Sequence, residues 1–368
     1  MRLGLIVPGG VDASGEYRVI PALLALIARL ARRHEVRVFA LRQEERPGMW
    51  ELLGARIQNI GMPYTRMRAV RAICAAHRDA PFDVLHAFWS ASPGLIAVAA
   101  ARVLGIPSVL HVAGGELVAL PAIAYGGRLT VRGRLREALV LRAASQVTAA
   151  SNPMLAALAA LGIAARRVPL GVDLDLWPPH APVRRQPGAP ARLIHVASLN
   201  RVKDQPTLLR ALAALGAAGT PFEMDIVGED TLGGAMQRLA QQLGLGAAVR
   251  FRGFLPQREL RSLMEVSDLM LHASWHEAGP VVLREAAVAG VPTVGTAVGE
   301  IADWAPRAAR AVPVGDAAVL ACEAASLLSD EELRLRIAQA AFALAVREDA
   351  DYTASAFEEI YRELTHAH

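Results

Sequence analysis

Short runs of almost unbroken apolar residues alternate along the chain with stretches in which apolar residues recur every three or four positions. In the first half the strand-like runs are "RLGLIVPG", "EVRVFAL", "ARIQNIG", "DVLHAFW", "PSVLHVAG", "QVTAAS" and "RRVPLG". Helical spacing lies between them at 18–33, near 65–79, from 93, near 128–143 and from 153. Strands that lack polar alternation are buried on both faces, and strand–helix–strand wiring pairs strands in parallel, so a doubly wound parallel sheet is expected. The same alternation restarts after a Pro-rich stretch, with "RLIHVAS", "FEMDIVG", "VRFRG", "DLMLHAS" and "PTVGT" as strands. Helices are expected at 205–215, 234–243, 257–266 and 281–289, followed by two terminal helical segments.

The pattern divides the chain into a first α/β domain over 1–177, a linker over 178–191 and a second α/β domain over 192–349. A last helix, about 350–368, is placed to pack back on the first domain. At 368 residues the chain has room for two cores of ordinary size, and 53% hydrophobic with 20% charged residues excludes a disordered chain. Ligands of open α/β sheets sit beyond the carboxyl ends of the strands, so function is sought there, in a cleft between the domains. The apolar stretches are too short or too interrupted by Arg to span a bilayer, and the N-terminus lacks a signal-peptide pattern. The expected location is the cytoplasm. Cys74 and Cys322 stand far apart with no Cys/His cluster, which argues against a disulfide scaffold or a zinc site.

Charge changes the picture by being uneven. Residues 1–185 carry 23 Arg against 12 acidic residues, whereas the remainder carries 16 basic against 23 acidic residues. Either these are solvated faces of an Arg-rich protein, or the first half meets something anionic.

Lys203, in "SLNRVKDQPT", is the only lysine in a chain that otherwise uses Arg. It follows the strand "LIHVAS", on a turn before a helix. An ammonium is a compact point charge that reaches a single phosphate oxygen, where guanidinium demands a planar, two-pronged partner. Arg201 either adds a second cation or is a solvated turn residue. The densest candidate stretch is "SWHEAGPVVLREAAVAGVPTVGT", 274–296. Pro280 suits the first turn of a helix that ends near Gly290, placing Glu277 on the loop and Glu285 inside the helix. A helix starting near Gly279 directs free N–H groups and its positive dipole end towards a phosphate. The structural alternative makes Glu277 a helix cap and Glu285 a surface residue.

Gly9 and Gly10 end the first strand, either in a tight turn or at a ligand. They lack the GxGxxG spacing, so dinucleotide binding is weakly supported. His111, beside Gly114, Gly115 and Glu116, ends another strand and reads as functional. His86 and Trp89 read as strand-end packing, and His195 and His272 as buried, hydrogen-bonded strand residues.

With these pieces assembled, the chain resembles the retaining glycosyltransferases of family four, which have the GT-B architecture of two Rossmann-like domains. The strongest mark is the family's E-x7-E element, Glu277 to Glu285, followed by the small-residue stretch up to "VGE". "VPLGVDLDLW" (168–177) looks like the family's segment leading into the linker, and "VASLNRVKDQPTLLRAL" (196–212) like its donor-phosphate strand and turn. The resemblance implies transfer of a sugar from a UDP-, GDP- or ADP-sugar, with anomeric configuration kept and neither cofactor nor metal. It implies that Glu285 holds the donor ribose, and that Glu277 with the backbone of Ala278, Gly279 and Pro280 lies at the sugar hydroxyls and diphosphate. Lys203 would neutralise the leaving diphosphate, His111 would lie near the transferred sugar, and Gly9 and Gly10 near the phosphates. The base would be met near "RGFLP", at Gly253 and Phe254.

The family usually places an Arg five residues before the Lys, and this chain has Ser198 there. Either Arg201 reaches in, or phosphate stabilisation rests on Lys203 and the helix start. In the implied architecture the first domain receives the acceptor, a glycan, lipid-linked or other hydroxyl compound of polysaccharide or glycolipid synthesis. Arg repeats with apolar residues over 66–78 and 128–142, as on membrane-surface helices, so an anionic acceptor at the inner membrane face is expected. No nucleic-acid partner is expected. The rival readings are a nucleotide-sugar epimerase, a phosphorylase with pyridoxal phosphate on the sole lysine, a non-catalytic nucleotide-sugar-binding subunit and, less supported, an oxidoreductase.

Overall fold

Eight strands form the first sheet: β1 (Arg2–Val7), β2 (Glu35–Ala40), β3 (Gly48–Leu52), β4 (Ala55–Asn59), β5 (Val84–Phe88), β6 (Ser108–Val112), β7 (Gln146–Ala149) and β8 (Ala165–Arg167). Their order is β3-β4-β2-β1-β5-β6-β7-β8, and every pair is parallel except β3 with β4. The second sheet holds β9 (Ala191–Val196), β10 (Phe222–Val227), β11 (Val249–Gly253), β12 (Leu269–His272), β13 (Thr293–Thr296) and β14 (Arg310–Val312). Its order is β11-β10-β9-β12-β13-β14, parallel throughout. This computed structural model describes residues 1–366. The chain forms two units, Met1–Asp173 with Glu348–His368, and Leu174–Arg347.

Each unit is the doubly wound α/β sheet that the apolar runs imply. All five residues of β5 and of β6 are buried, as expected of strands covered on both faces. The helix Thr65–Asp79 shows the helical counterpart, burying Thr65, Ala69, Ile73 and Ala76 in one stripe while its arginines face out. In the second unit Leu193, Leu208, Leu212, Met224, Leu269 and Val294 belong to one buried cluster between sheet and helices. Among the described residues no helix is long and apolar enough to cross a membrane.

Several boundaries differ from the sequence reading. The chain passes between units at Asp173 and Leu174 rather than at 177. Residues 178–191 are not a free linker. They lie in the second unit, where His180 N–H donates to Val288 O at 2.9 Å and the buried Arg334 donates to Val183 O at 2.6 Å. Their prolines remove N–H donors without preventing packing. β3 was not anticipated, because only Leu52 of its five residues is buried and no alternation marks it. Beyond β13 the two expected segments are four helices, Gly299–Trp304, Ala317–Ser329, Glu331–Arg347 and Ala350–His366, with β14 among them.

The last helix, Ala350–His366, belongs to the first unit. Its Thr353 hydroxyl donates to Pro169 O and accepts from Gly171 N–H, both at 2.8 Å, and Arg29, 2% exposed, pairs with Asp173 and Asp351.

In the second unit the helix Val281–Val288 is fastened by a buried ion pair. Arg284 Nε lies 3.1 Å from both carboxylate oxygens of Glu300, and its guanidinium sits 5.4 Å from the centre of the Trp304 ring. Removing one partner of a buried pair leaves the other charge uncompensated. Arg284→Met is therefore expected to destabilise the second unit by about 3–5 kcal/mol. Urea unfolding followed by circular dichroism checks this, and a loss near zero would show that the pair does not anchor the helix.

Candidate active site

The loops leaving two neighbouring strands of a parallel sheet diverge where the strand order reverses, and ligands collect in the gap. In the second sheet that point lies between β9 and β12. β9 leads to Lys203 and β12 to Glu277, and the two side chains meet there, Nζ to Oε1 at 2.6 Å. Two more groups converge on the same oxygen: His272 Nε2 at 2.8 Å and the Ser274 hydroxyl, which donates at 2.7 Å. Trp275 N–H donates to Val202 O at 2.8 Å, tying the two loops by their backbones.

Burial alone would raise the Glu277 pKa. The Lys203 charge and the His272 hydrogen bond outweigh it and hold the carboxyl well below the usual range, so Glu277 is ionised. Behind Lys203, burial lowers the His195 pKa to about 3, so this ring is neutral. His195 Nδ1 donates to Leu271 O at 2.9 Å, leaving Nε2 to accept from Gln205, 3.3 Å away. Gln205 also donates to Ser198 O at 3.2 Å, so its amide braces the turn that carries Lys203. The short helix Arg201–Lys203 is capped by Asn200, whose Oδ1 accepts from Lys203 N–H at 3.2 Å.

After Glu277 the chain runs through Ala278 and Gly279 to Pro280, which is the N-cap of the helix Val281–Val288 rather than a residue of its first turn. Among the described residues no side chain caps this helix; Leu283 N–H donates to Pro280 O at 3.0 Å, which leaves the amides of Val281 and Val282 for an anion. Glu285 is buried in the helix, not a surface residue. Burial pushes its pKa up to about 7 against the opposing hydrogen bond from Gln257. Gln257 also accepts from Trp177 Nε1. Gly299 backs the Glu277 loop. It has φ +51°, and a Cβ there would lie 2.9 Å from Glu277 O and 3.1 Å from Glu277 Cβ.

Lys203, Glu277, Ala278, Gly279, Pro280 and Glu285 thus belong to one edge of one sheet. Arg201 is exposed on the Lys203 turn, and among the described residues no carboxylate pairs with it. Gly253, with φ +68°, ends β11 and the half-exposed Phe254 follows it on the same carboxyl edge, two strands from β9. His272 and Ser274 are the participants that sequence reasoning missed. A strand-end His that holds a carboxylate reads the same as one that fills a core.

The three first-unit candidates fare differently. His111 is fully buried between Phe88, Phe357 and Thr148, with Nδ1 2.9 Å from the Thr148 hydroxyl, and burial lowers its pKa to about 3. Its ring is enclosed in the core rather than open to a ligand in this structure, and among the described residues Nε2 has no hydrogen-bond partner. Gly10, with φ +81°, makes a tight turn, and its N–H and that of Val11 both donate to Gln43 Oε1, at 2.7 and 3.0 Å. Those amides are occupied, and Gly9 packs beside the same Gln43.

Comparison with known proteins adds independent findings. The family Glycosyl transferases group 1 matches residues 181–343, and the Glycosyl transferase 4-like domain matches residues 19–171. The D-inositol 3-phosphate glycosyltransferase of Corynebacterium jeikeium is 30% identical over 218 residues, 55% of this chain and 52% of that protein. The putative glycosyltransferase EpsF of Bacillus subtilis is 29% identical over 259 residues, 66% of this chain and 65% of its own. The chain thus spans between about half and two thirds of these curated relatives. Among solved structures, Anabaena Alr3699/HepE in complex with UDP and glucose superposes with a TM-score of 0.75 at 19% identity, covering 99% of this chain and 100% of that one. Sucrose-phosphate synthase from Thermosynechococcus elongatus gives 0.81 at 18% identity, with 100% of both chains covered. These likenesses identify the fold as GT-B, and with a match in each unit the chain belongs to the group 1 glycosyl transferases of the family-four type.

Proposed function

We propose that the protein transfers a glycosyl group from a nucleoside diphosphate sugar to a hydroxyl acceptor, with retention and without a metal, and that the second unit binds the donor. The observation that carries this reading is the convergence of Lys203, His272 and Ser274 on Glu277 at the point of strand reversal, beside an uncapped helix start. HepE has been crystallised with UDP and with UDP-glucose, which supports the donor class.

Cleavage of the bond between sugar and diphosphate puts negative charge on the leaving oxygens, and donors already aimed there lower the barrier. Lys203 is held by Glu277 in the free protein and exchanges that partner for the diphosphate. The helix amides after Pro280 supply further donors. Glu277 keeps His272 and Ser274 on Oε1 when Lys203 leaves, so its charge stays compensated while Oε2 accepts from sugar hydroxyls. Glu285 accepts from the ribose. With Ser198 where the family's Arg usually stands, the load on Lys203 is the greater. An epimerase and a silent binding subunit share the fold, but the matches to glycosyl transferase families in both units favour transfer.

Lys203→Ala is expected to retain the fold and lose on the order of 10²-fold in turnover. The check is release of nucleoside diphosphate from a panel of UDP-, GDP- and ADP-sugars, alongside circular dichroism. A folded Lys203→Ala with undiminished turnover would contradict the assignment.

The Glu285 role carries a pH signature. With its pKa near 7, the carboxyl is protonated below that value and ionises as pH rises through it, and the ionised form is the better acceptor of ribose hydroxyls. From about pH 6 to about pH 8, nucleoside diphosphate affinity relative to Glu285→Gln should rise by up to about tenfold. Taking the ratio to the variant cancels titration of the phosphate itself. Calorimetric titration measures it, and a ratio that stays flat with pH would remove Glu285 from the ribose.

A further inference from the structure

The first sheet reverses its strand order between β1 and β5, and an open pocket of about 880 Å³ lies at the carboxyl ends of β1, β2 and β5. That is the size of a small-molecule site, at the place where such sheets bind ligands. Two aromatic residues that line it, Tyr64 and Trp89, hold left-handed backbone conformations, with φ +59° and +70°. Large side chains are rarely kept in that region, and such strain gathers at functional sites. Tyr64 and Met67 remain well exposed there, at 74% and 52%, so the pocket offers apolar surface to a ligand.

Its polar chemistry is one-sided. None of the lining residues is an Asp, Glu, Asn or Gln, whereas Arg42 and Arg66 both line it. Both arginines are exposed, and among the described residues no carboxylate pairs with either. Arg66 Nε donates to the Ser92 hydroxyl at 3.2 Å, which aims the guanidinium along the wall formed by the starts of the two helices Thr65–Asp79 and Ser92–Leu104. A neutral sugar needs acceptors for its hydroxyl protons, and this pocket has few side chains that provide them. Two guanidinium groups without a carboxylate partner, beside exposed apolar side chains, suit a phosphate-type anion joined to an apolar group.

We infer that this pocket binds the acceptor substrate, and that the acceptor bears a phosphate or similar oxyanion next to an apolar portion. The assignment as acceptor rests on the glycosyl-transfer reading, and the chemical class rests on Arg42, Arg66, Tyr64 and Met67. Both a lipid-linked phosphate and a soluble phosphate ester carry this chemistry.

Calorimetric titration of the full chain with hexyl phosphate, inorganic phosphate and hexyl glucoside tests it. Hexyl phosphate should bind at least about tenfold more tightly than either of the others, and Arg42→Ala/Arg66→Ala should remove at least about tenfold of that affinity. Both arginines are exposed, so the variant should fold, and its nucleoside diphosphate binding should be unchanged. Equal binding of hexyl phosphate to wild type and variant, or no preference over hexyl glucoside, overturns the inference while leaving the donor reading intact. Loss of nucleoside diphosphate binding by the wild type would instead sink the transfer reading. Given the hexyl phosphate preference, retention of wild type but not variant on vesicles of phosphatidylglycerol and phosphatidylcholine supports a lipid source. Its absence supports a soluble one.

Discussion

A carboxylate in a half-closed site must find positive charge or hydrogen-bond donors, and in the second unit that need organises the loops after β9 and β12. Glu277 draws Lys203, His272 and Ser274 onto one oxygen. Ion pairs of this kind are weak sources of stability, because the cost of desolvating both charges offsets much of their attraction. What the pair provides is position. Glu277 holds Lys203 at the strand reversal before any ligand arrives, so under the proposed function the ammonium changes partner there rather than being recruited from solvent. Packing behind it serves the same end: Gly299 lets the chain approach the Glu277 loop, and the Arg284–Glu300 pair fixes the following helix.

The two units repeat one topological device with different chemistry. Each sheet reverses its order once near its middle, and each gathers its distinctive residues at the carboxyl ends beside that reversal. In the second unit the gap holds an ammonium balanced by a carboxylate. In the first, arginines that pair with no carboxylate among the described residues line a pocket walled by aromatic and aliphatic side chains. The excess of Arg over acidic residues in the first half of the chain, which composition alone leaves open, acquires a local meaning at Arg42 and Arg66.

The architecture was legible because strands buried on both faces leave long apolar runs, and the helices between them were placed mostly within a few residues. β3 escaped because an exposed edge strand has no such signature, and residues 178–191 passed for a linker because proline content says nothing about what a segment packs against. Lys203 stood out through its uniqueness, and Glu277 with Glu285 through spacing around Gly279-Pro280. His111, which reads as functional in the sequence, lies enclosed in the core of this structure. In a doubly covered parallel strand both side-chain directions are apolar, so the sequence does not say whether a histidine points to a ligand or into the core. The same ambiguity hid His272, which does reach the site.

The proposed function requires that the second unit hold a nucleoside diphosphate through Lys203. Thermal unfolding of the purified protein with UDP, GDP, ADP and NAD tested separately addresses it most directly, since a ligand at ~100 times its dissociation constant adds about 2.7 kcal/mol to stability. A clear rise in melting temperature is expected with at least one nucleoside diphosphate and none with NAD, the rise shrinking in Lys203→Ala. A rise with NAD alone, or none with any nucleoside diphosphate, would contradict it.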